Sequence, residues 1–564
     1  MTKDTSSVYS RIKWFVFLYT LIHLLTHSLS VTAHVGSSGV IVQKQAGKYQ
    51  LLIQISPPDV VPGTAKVTVF VEQGRVSSIG ARPIYFRSGD KGAPTHDVLT
   101  PVGDNRYEGD LWLMASGSSS VELSIDGPDG KQQVVVPVMA LATALRDMPA
   151  GTGWGLAAMG LLLVVMLITI IGASNADGIV APDQPIVAAL RKRRLLGMGI
   201  GLVVLVLILA GWRSWWNSTS EQYRTQQLYQ PLPIHASVNM ANGQRQLTIQ
   251  IDTTDFRKNA RRRTLSYILP DHGKLMHAFL VRMPGLDAFA HLHPVRQDTL
   301  HYNAALPPLP GGKYLLYADV VYRSGFAETL TDIVEIPSLK ISPEVAANAK
   351  PTDRDDSWLV TEPMGVKANA VNMPHLDNDM VVCGKPGASM KLEDGSSMLW
   401  MDKASPVLEA GKLYNLKFAV ADAQGKAAPL EPYLGMGGHA VILRSDGTVY
   451  IHLHPVGTYS MAAEGSLVGR IADTARTFHY PDAARFRDSI DTYVAKLNAL
   501  PEAEKNKLLQ TTMPTMSHAM KTNNMVEFPY AFPRAGHYRI WVQVKRNGRV
   551  LTGVFDTQVN EPLL

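Results

Sequence analysis

Histidine recurs at matched positions in two stretches of this sequence. The first runs His277-Ala278-Phe279-Leu280-Val281-Arg282, a turn at Pro284-Gly285, then His291-Leu292-His293-Pro294-Val295. The second runs His439-Ala440-Val441-Ile442-Leu443-Arg444, a turn at Asp446-Gly447, then His452-Leu453-His454-Pro455-Val456. Residues i and i+2 of a strand face the same way, so His291 projects with His293 and His452 with His454. The strand before each turn is the expected hairpin partner, which brings His277 and His439 within roughly 5 Å of the pairs opposite. Each hairpin then gathers three imidazoles. Neutral imidazole suits copper, zinc or nickel, and three on a rigid hairpin leave a coordination position open. The competing reading is structural, because a His pair on a strand is commonly satisfied by hydrogen bonds and a duplicated unit repeats such residues too. Recurrence of three histidines at nearly equal spacing favours the metal.

The second stretch adds thioethers. Met436 lies three residues before His439 and Met461 seven after His454. Met513, Met516, His518 and Met520 form one further cluster; Met380, Cys383, Met390, Met398 and Met401 form a looser one. Thioether favours Cu(I) and imidazole accepts Cu(II), so this mixture points to copper, with zinc as the alternative. Each Met taken singly also reads as core filling, and Cys383 reads as a buried strand residue. His272, beside Gly273, reads as a turn residue ahead of an outer ligand. Asp319 is placed to orient a histidine, a role that its counterpart Gln543 does not repeat. His34 would begin the chain after cleavage behind Ala33, where an α-amine and its own imidazole can chelate copper. The candidate ligands are thus His277, His291, His293, His439, His452 and His454, with Met436 and Met516. The sequence holds no His-Glu-x-x-His pair, Gly-x-Ser-x-Gly elbow or phosphate loop, so a non-enzymatic role ranks above a tri-histidine enzyme.

The elements that position these residues read mainly as strands. Residues 34–145 alternate apolar and polar, as in Gln50-Leu51-Leu52-Ile53-Gln54-Ile55, between Gly, Pro and Asp-Gly turns. Gly312-Lys313-Tyr314-Leu315-Leu316-Tyr317 matches Gly536-His537-Tyr538-Arg539-Ile540-Trp541. Related units are therefore expected over 232–338 and 360–560, the second carrying an insertion at 458–530 with helical spacing from Pro481 to Leu509. The expected class is mainly β: three extracytoplasmic immunoglobulin-like or cupredoxin-like sandwiches, two transmembrane helices and a small helical insertion.

The stretch Gly273-Lys274-Leu275-Met276-His277 with Ala290-His291-Leu292-His293-Pro294 resembles a β-sandwich module of bacterial exported proteins associated with copper or other heavy-metal handling. The stretch from Gly435-Met436-Gly437-Gly438-His439 to His452-Leu453-His454-Pro455 resembles the same module. The resemblance covers about a third of the chain and implies metal handling. The Cys, His and Met ligand order of a blue-copper electron carrier is missing.

Location follows from charge and hydropathy. Basic residues Lys3, Arg11 and Lys13, an apolar run and Val31-Thr32-Ala33 make residues 1–33 a signal peptide or signal anchor. Residues 152–173 and 195–213 each suffice to cross a bilayer. The loop 174–194 ends in Arg191-Lys192-Arg193-Arg194, which places it in the cytoplasm and both flanks outside. A bacterial inner-membrane protein facing the periplasm is expected. The +6 net charge sits largely in that cluster and in Arg257–Arg263. No aromatic-basic interleaving accompanies it, so no nucleic-acid partner is expected. One cysteine permits no internal disulfide. The expected job is metal buffering, delivery or sensing, with a periplasmic protein partner; the alternative is a scaffold with structural histidines.

Overall fold

The structure, a computed structural model, describes residues 34–35, 39–103, 105–145, 148–181, 183–241, 244–254, 265–338, 353–365, 389–401, 408–474, 477–511 and 524–562. Residues 1–33, expected as a signal peptide or signal anchor, and the Met513–Met520 stretch, with Met516, lie outside them, as do Met380 and Cys383.

Period-two patterning drives the architecture. Strand Tyr49–Ser56 buries every second residue, and Tyr49, Leu51, Ile53 and Ile55 are fully enclosed. Each such aliphatic side chain contributes about 1.5–3 kcal/mol on burial. The described chain is mainly β, with two long apolar helices. Three large apolar clusters hold the sheets together, each drawing its residues from two sheets.

The strands that matter for the site are β1 (Val40–Ala46), β2 (Gln132–Ala140), β3 (His277–Arg282), β4 (Ala288–Leu292), β5 (Gly312–Tyr322), β6 (Ala327–Ile336), β7 (Ser357–Val360), β8 (His439–Arg444), β9 (Val449–Leu453), β10 (Gly536–Arg546) and β11 (Arg549–Asn560). The two sequence repeats fold alike. Strand β3 pairs with β4 and β5, and β5 with β6; β8 pairs with β9 and β10, and β10 with β11. Ala278 lies opposite Leu292 and Ala440 opposite Leu453. His277 lies opposite Asp319, and His439 opposite Gln543.

The two histidine sheets pack against each other through a fourth apolar cluster that includes Phe279, Phe289, Tyr317, Val441, Tyr450 and Trp541. Phe289 stacks on Trp541 with ring centroids 4.9 Å apart, and Tyr450 stacks on Tyr317 at 4.0 Å. Phe289 and Tyr450 are equivalent in the repeat, as are Trp541 and Tyr317. Reciprocal contacts of this kind are those of a two-fold interface, here within one chain.

Helices α1 (Ala150–Asn175) and α2 (Ala188–Gln222) are long and apolar enough to cross a membrane, and their apolar side chains are exposed. The basic cluster does not lie in a loop as expected: α2 begins at Ala188, so Arg191–Arg194 occupy its first turns. The insertion forms α3 (Met461–Ala472), α4 (Ala483–Ala499) and α5 (Glu502–Thr511). Ser460 Oγ and Asp482 Oδ1 cap the first two, and Pro501 separates the last two.

Candidate metal centre

The two hairpins do not form separate sites. Their histidines meet at the interface between the modules as one buried cluster. His277, His291 and His293 each place a ring nitrogen within 4.8 Å of the other two, as the hairpin reading expects. The second triad is rearranged. His439 and His454 group with His272 of the first module, again within 4.8 Å. His452 lies between the groups, its ring 5.4 Å from His277 and 4.7 Å from His454.

A turn explains His272. The backbone of Asp271 and Lys274 exchanges two hydrogen bonds, at 2.8 and 2.9 Å, and that of Tyr433 and Met436 does the same at 2.7 and 3.0 Å. His272 and the equivalent Leu434 both have φ of 51°, and each is followed by a glycine in the left-handed region. Glycine adopts that geometry freely and histidine only occasionally. The turn carries the His272 ring to 4.7 Å from His454 and 5.6 Å from His439. Strand periodicity gives no hint of this. The available signal was the alignment of Asp271-His272-Gly273 with Tyr433-Leu434-Gly435, in which only the glycine is shared and His272 stands where the second copy has leucine.

Hydrogen-bond partners fix where the protons sit. His277 Nε2 lies 3.2 Å from the Asp271 carbonyl oxygen, which can only accept, so that nitrogen carries a proton. His291 Nδ1 lies 2.9 Å from Gln543 Oε1 and 3.3 Å from the Tyr433 hydroxyl oxygen. Tyr433 already donates its proton to the Asp355 carbonyl at 2.8 Å, and Gln543 donates its amide to Ser357 Oγ. His291 Nδ1 is therefore also protonated. The remaining nitrogens, His277 Nδ1 and His291 Nε2, face each other at 3.1 Å. With these tautomers the neutral rings turn two lone pairs toward each other.

The other rings repeat the theme. His454 Nδ1 donates to the Tyr459 carbonyl at 2.9 Å, His293 Nδ1 to Asp356 at 2.9 Å, and His452 Nδ1 faces Asp319 at 3.3 Å. Among the described residues, the Nε2 atoms of these three have no partner, and both nitrogens of His272 and His439 are buried without one. Such orphans are costly in a folded interior. Carboxylate or carbonyl on one ring nitrogen, and a free lone pair on the other, is the arrangement that holds a metal-ligating histidine. The orienting roles are exchanged between modules: Asp319 serves His452 and Gln543 serves His291.

Burial, reinforced by neighbouring imidazoles, holds His272, His277, His291, His439 and His452 well below the ordinary value of 6.5. They are neutral and ready to ligate. Burial pushes the Asp319 carboxyl up to about 6, against hydrogen bonds from Thr329 and Tyr450. The linkage has a definite sign. Unfolded histidines take up protons below about 6.5, whereas these folded ones do not, so stability is full above that value and drains as pH falls. The metal-free chain should melt at steadily lower temperature from about pH 7 to about pH 5 in a circular-dichroism series. A flat profile would contradict the burial of neutral rings.

Charged residues brace the cluster. Asp355 is fully buried and contacts Lys505 at 2.6 Å, Lys274 at 3.1 Å and Lys545 at 3.4 Å. Arg354 donates to the Asn498 and Leu500 carbonyls at the end of α4, at 2.6 and 3.2 Å. Leu497 of α4 packs on Gly273 so closely that a Cβ there would sit 2.5 Å from its Cδ2; Leu509 of α5 covers Gly435 likewise, at 2.9 Å. The insertion thus seats on the two turns that flank the cluster. From the other side β1 clamps the segment after His454: Gln43 N donates to the Val456 carbonyl and Thr458 N to the Ile41 carbonyl, both at 2.9 Å. Lys44, buried, donates to the Tyr459 hydroxyl at 2.9 Å and pairs with Glu464.

The thioethers are placed otherwise. Met436 and Met461 belong to an apolar cluster with Leu497 and Leu509, and Met398 to the core of the second module. The described centre therefore offers imidazole nitrogen alone. His293, Asp353 and Asp356 also lie close together, but Asp353 is engaged by Lys274 at 2.5 Å. Strand pairing sets the His34 backbone beside Val449.

Residues 392–486 match a family described as a domain of unknown function, DUF8832. The matched stretch contains His439, His452 and His454 and helix α3. No curated protein matches the chain. Among solved structures, dimeric latent PorU from Porphyromonas gingivalis shares 9% identity over 93% of this chain and 34% of its own, with a TM-score of 0.14. The FN1–FN3 domains of chicken CNTN1 share 6% over 93% and 99%, with a TM-score of 0.13. A putative membrane anchored protein from Corynebacterium diphtheriae shares 9% over 93% and 96%, with a TM-score of 0.12. Overlaps this slight carry no argument about this chain.

Proposed function

We propose that this chain is a membrane-anchored, extracytoplasmic protein that holds a two-ion metal centre between its paired modules, with copper as the resident metal. The observation that carries the reading is the pair of lone pairs facing at 3.1 Å between His277 Nδ1 and His291 Nε2. Metal–imidazole bonds of about 2.0–2.1 Å reach both nitrogens at an angle of roughly 100°. A shared proton would instead make the pair cationic, which the burial of both rings opposes. His293 completes the first ligand set; His272, His439 and His454 form the second, with His452 between them. Copper ranks above zinc because an all-nitrogen site binds it more tightly in the divalent series.

In this reading the hairpins are copies of the exported copper-handling module that their sequence resembles. The chain forms three immunoglobulin-like or cupredoxin-like sandwiches, with α1 and α2 as the anchor in a bacterial inner membrane and the basic start of α2 on the cytoplasmic side. Burial of every ligand favours long holding of the ions, in buffering or sensing, over rapid delivery to a periplasmic protein. The test is metal analysis of the full chain in detergent after loading with Cu(II) and exhaustive dialysis. Two copper ions per chain are expected, and prior zinc should be displaced. Substoichiometric metal leaves the histidines as structural hydrogen-bond partners of a scaffold.

A further inference from the structure

We propose that a cavity beside the histidines admits a neutral, largely apolar molecule bearing hydroxyl groups at one end, a phenol or catechol, whose oxygen reaches the metal ions. The inference rests on the metal reading above. The cavity holds about 590 Å³ and lies where the N-terminal unit meets both modules. That size is typical of sites for small organic molecules. At one end it is lined by His277, His452 and His454 together with Asp271 and Asp319. These groups are contiguous: Asp319 lies 3.3 Å from His452, and His277 bonds to the Asp271 carbonyl. Away from the histidines the lining includes Met139, Leu141, Thr143 and Tyr229, with Glu328 accepting from the Tyr229 hydroxyl at 3.1 Å and the Asp59 carbonyl accepting from Thr143 N at 2.8 Å. Pro57, Pro58, Val320 and Val321 add apolar wall.

The chemistry of the two ends selects the ligand. Two carboxylates stand at the histidine end, and the one lysine there, Lys274, is engaged by Asp353 and Asp355. Arg534 also lines the cavity but is exposed to solvent. An anionic headgroup is therefore disfavoured, whereas a hydroxyl can donate to Asp319 and ligate through oxygen. The wall around Tyr229 adjoins the anchor. Tyr229 N donates to the Ala142 carbonyl at 2.7 Å, so the chain segments leading into α1 and out of α2 are tied together at the cavity wall. A molecule partitioned near the bilayer surface would meet this end first.

The test uses the full chain in lipid nanodiscs, loaded with redox-inert Zn(II), and catechol as the probe, which is neutral at pH 7 and whose ultraviolet absorption shifts when its oxygens bind a metal. Saturable binding with a spectral shift is expected. Thr143→Trp and Ala327→Trp fill the cavity from positions remote from the histidines and should weaken binding at least tenfold with metal content unchanged. Thr143 is exposed, so that variant keeps the fold even if the second does not. Metal uptake without a shift, or a shift that survives both variants undiminished, overturns the cavity assignment alone. Failure to take up metal overturns the metal reading and this inference with it.

Discussion

Replacing His277 and His291 together by Gln removes one copper ion per chain and exposes the magnetic signature of the other. Gln keeps most of the buried volume and hydrogen-bonding capacity, so the expected loss is of ligation rather than of packing. Rings of the two ligand groups approach to 6.3 Å between His272 and His277, and to 6.2 Å between His291 and His439. Two Cu(II) ions held that close couple, which broadens or abolishes the ordinary resonance of the isolated ion. The wild-type protein should therefore show two bound copper ions and a weak or split spectrum. H277Q/H291Q should bind one ion and give the sharp spectrum of a single nitrogen-ligated site. His272→Gln with His454→Gln should do the same from the other side. Retention of two ions by both double variants would remove the ligand assignment. A sharp spectrum from the fully loaded wild type would place the ions much farther apart than the rings allow.

The second large effect comes from Asp355→Asn. This carboxylate is fully buried, yet Lys274 and Lys505 hold it far below the usual range against the upward push of burial. Neutralising it leaves Lys274, Lys505 and Lys545 with too few counter-charges in a dry interior. Breaking a buried pair in this way costs about 3–5 kcal/mol. The cost falls first on the contact between α5 and the loop before β7, because Lys505 belongs to that helix. Urea unfolding should show the loss, and amide exchange should show α5 released before the sheets. The neighbouring Asp356 orients His293, so copper at the first ligand set should weaken ahead of the second. Simultaneous replacement of Asp355 and Lys505 by uncharged residues of similar size should recover much of the stability. Equal exchange of α5 in D355N and wild type would show that the contact is not a latch.

The parts of this site that obey a period were legible from the residues. Alternation along β4 and β9 put His291 with His293 and His452 with His454, and short turns put His277 and His439 across from them. The same residues stand opposite Asp319 and Gln543, and Gln543, read from the sequence as lacking an orienting role, bonds to His291. Charge-free runs likewise gave α1 and α2, though the first turns of α2 tolerate four basic residues that read as loop. What periodicity could not supply was the meeting of the modules. Phe289, Tyr317, Tyr450 and Trp541 look like ordinary core residues, and nothing local says that their core lies between two sheets of the same chain. That contact merges two expected sites into one and passes the orienting roles of Asp319 and Gln543 to the opposite module. His272 was ranked as a turn residue above an outer ligand for another reason. Its direction comes from a left-handed backbone angle in a turn, which side-chain pattern does not encode. Met436 and Met461 sit in an apolar cluster because soft donors and core fillers share a composition, and Met516 lies outside the described residues.

The clamp of β1 on the segment after His454 carries a consequence of parity. Chain that precedes the apolar helices bonds directly to chain that follows them, and the ends of the helical pair are tied at Ala142 and Tyr229. An odd number of crossings would strand these partners in different compartments. If α1 enters a bilayer, α2 must bring the chain back, and a reagent confined to one face that labels the N-terminal unit must also reach both modules.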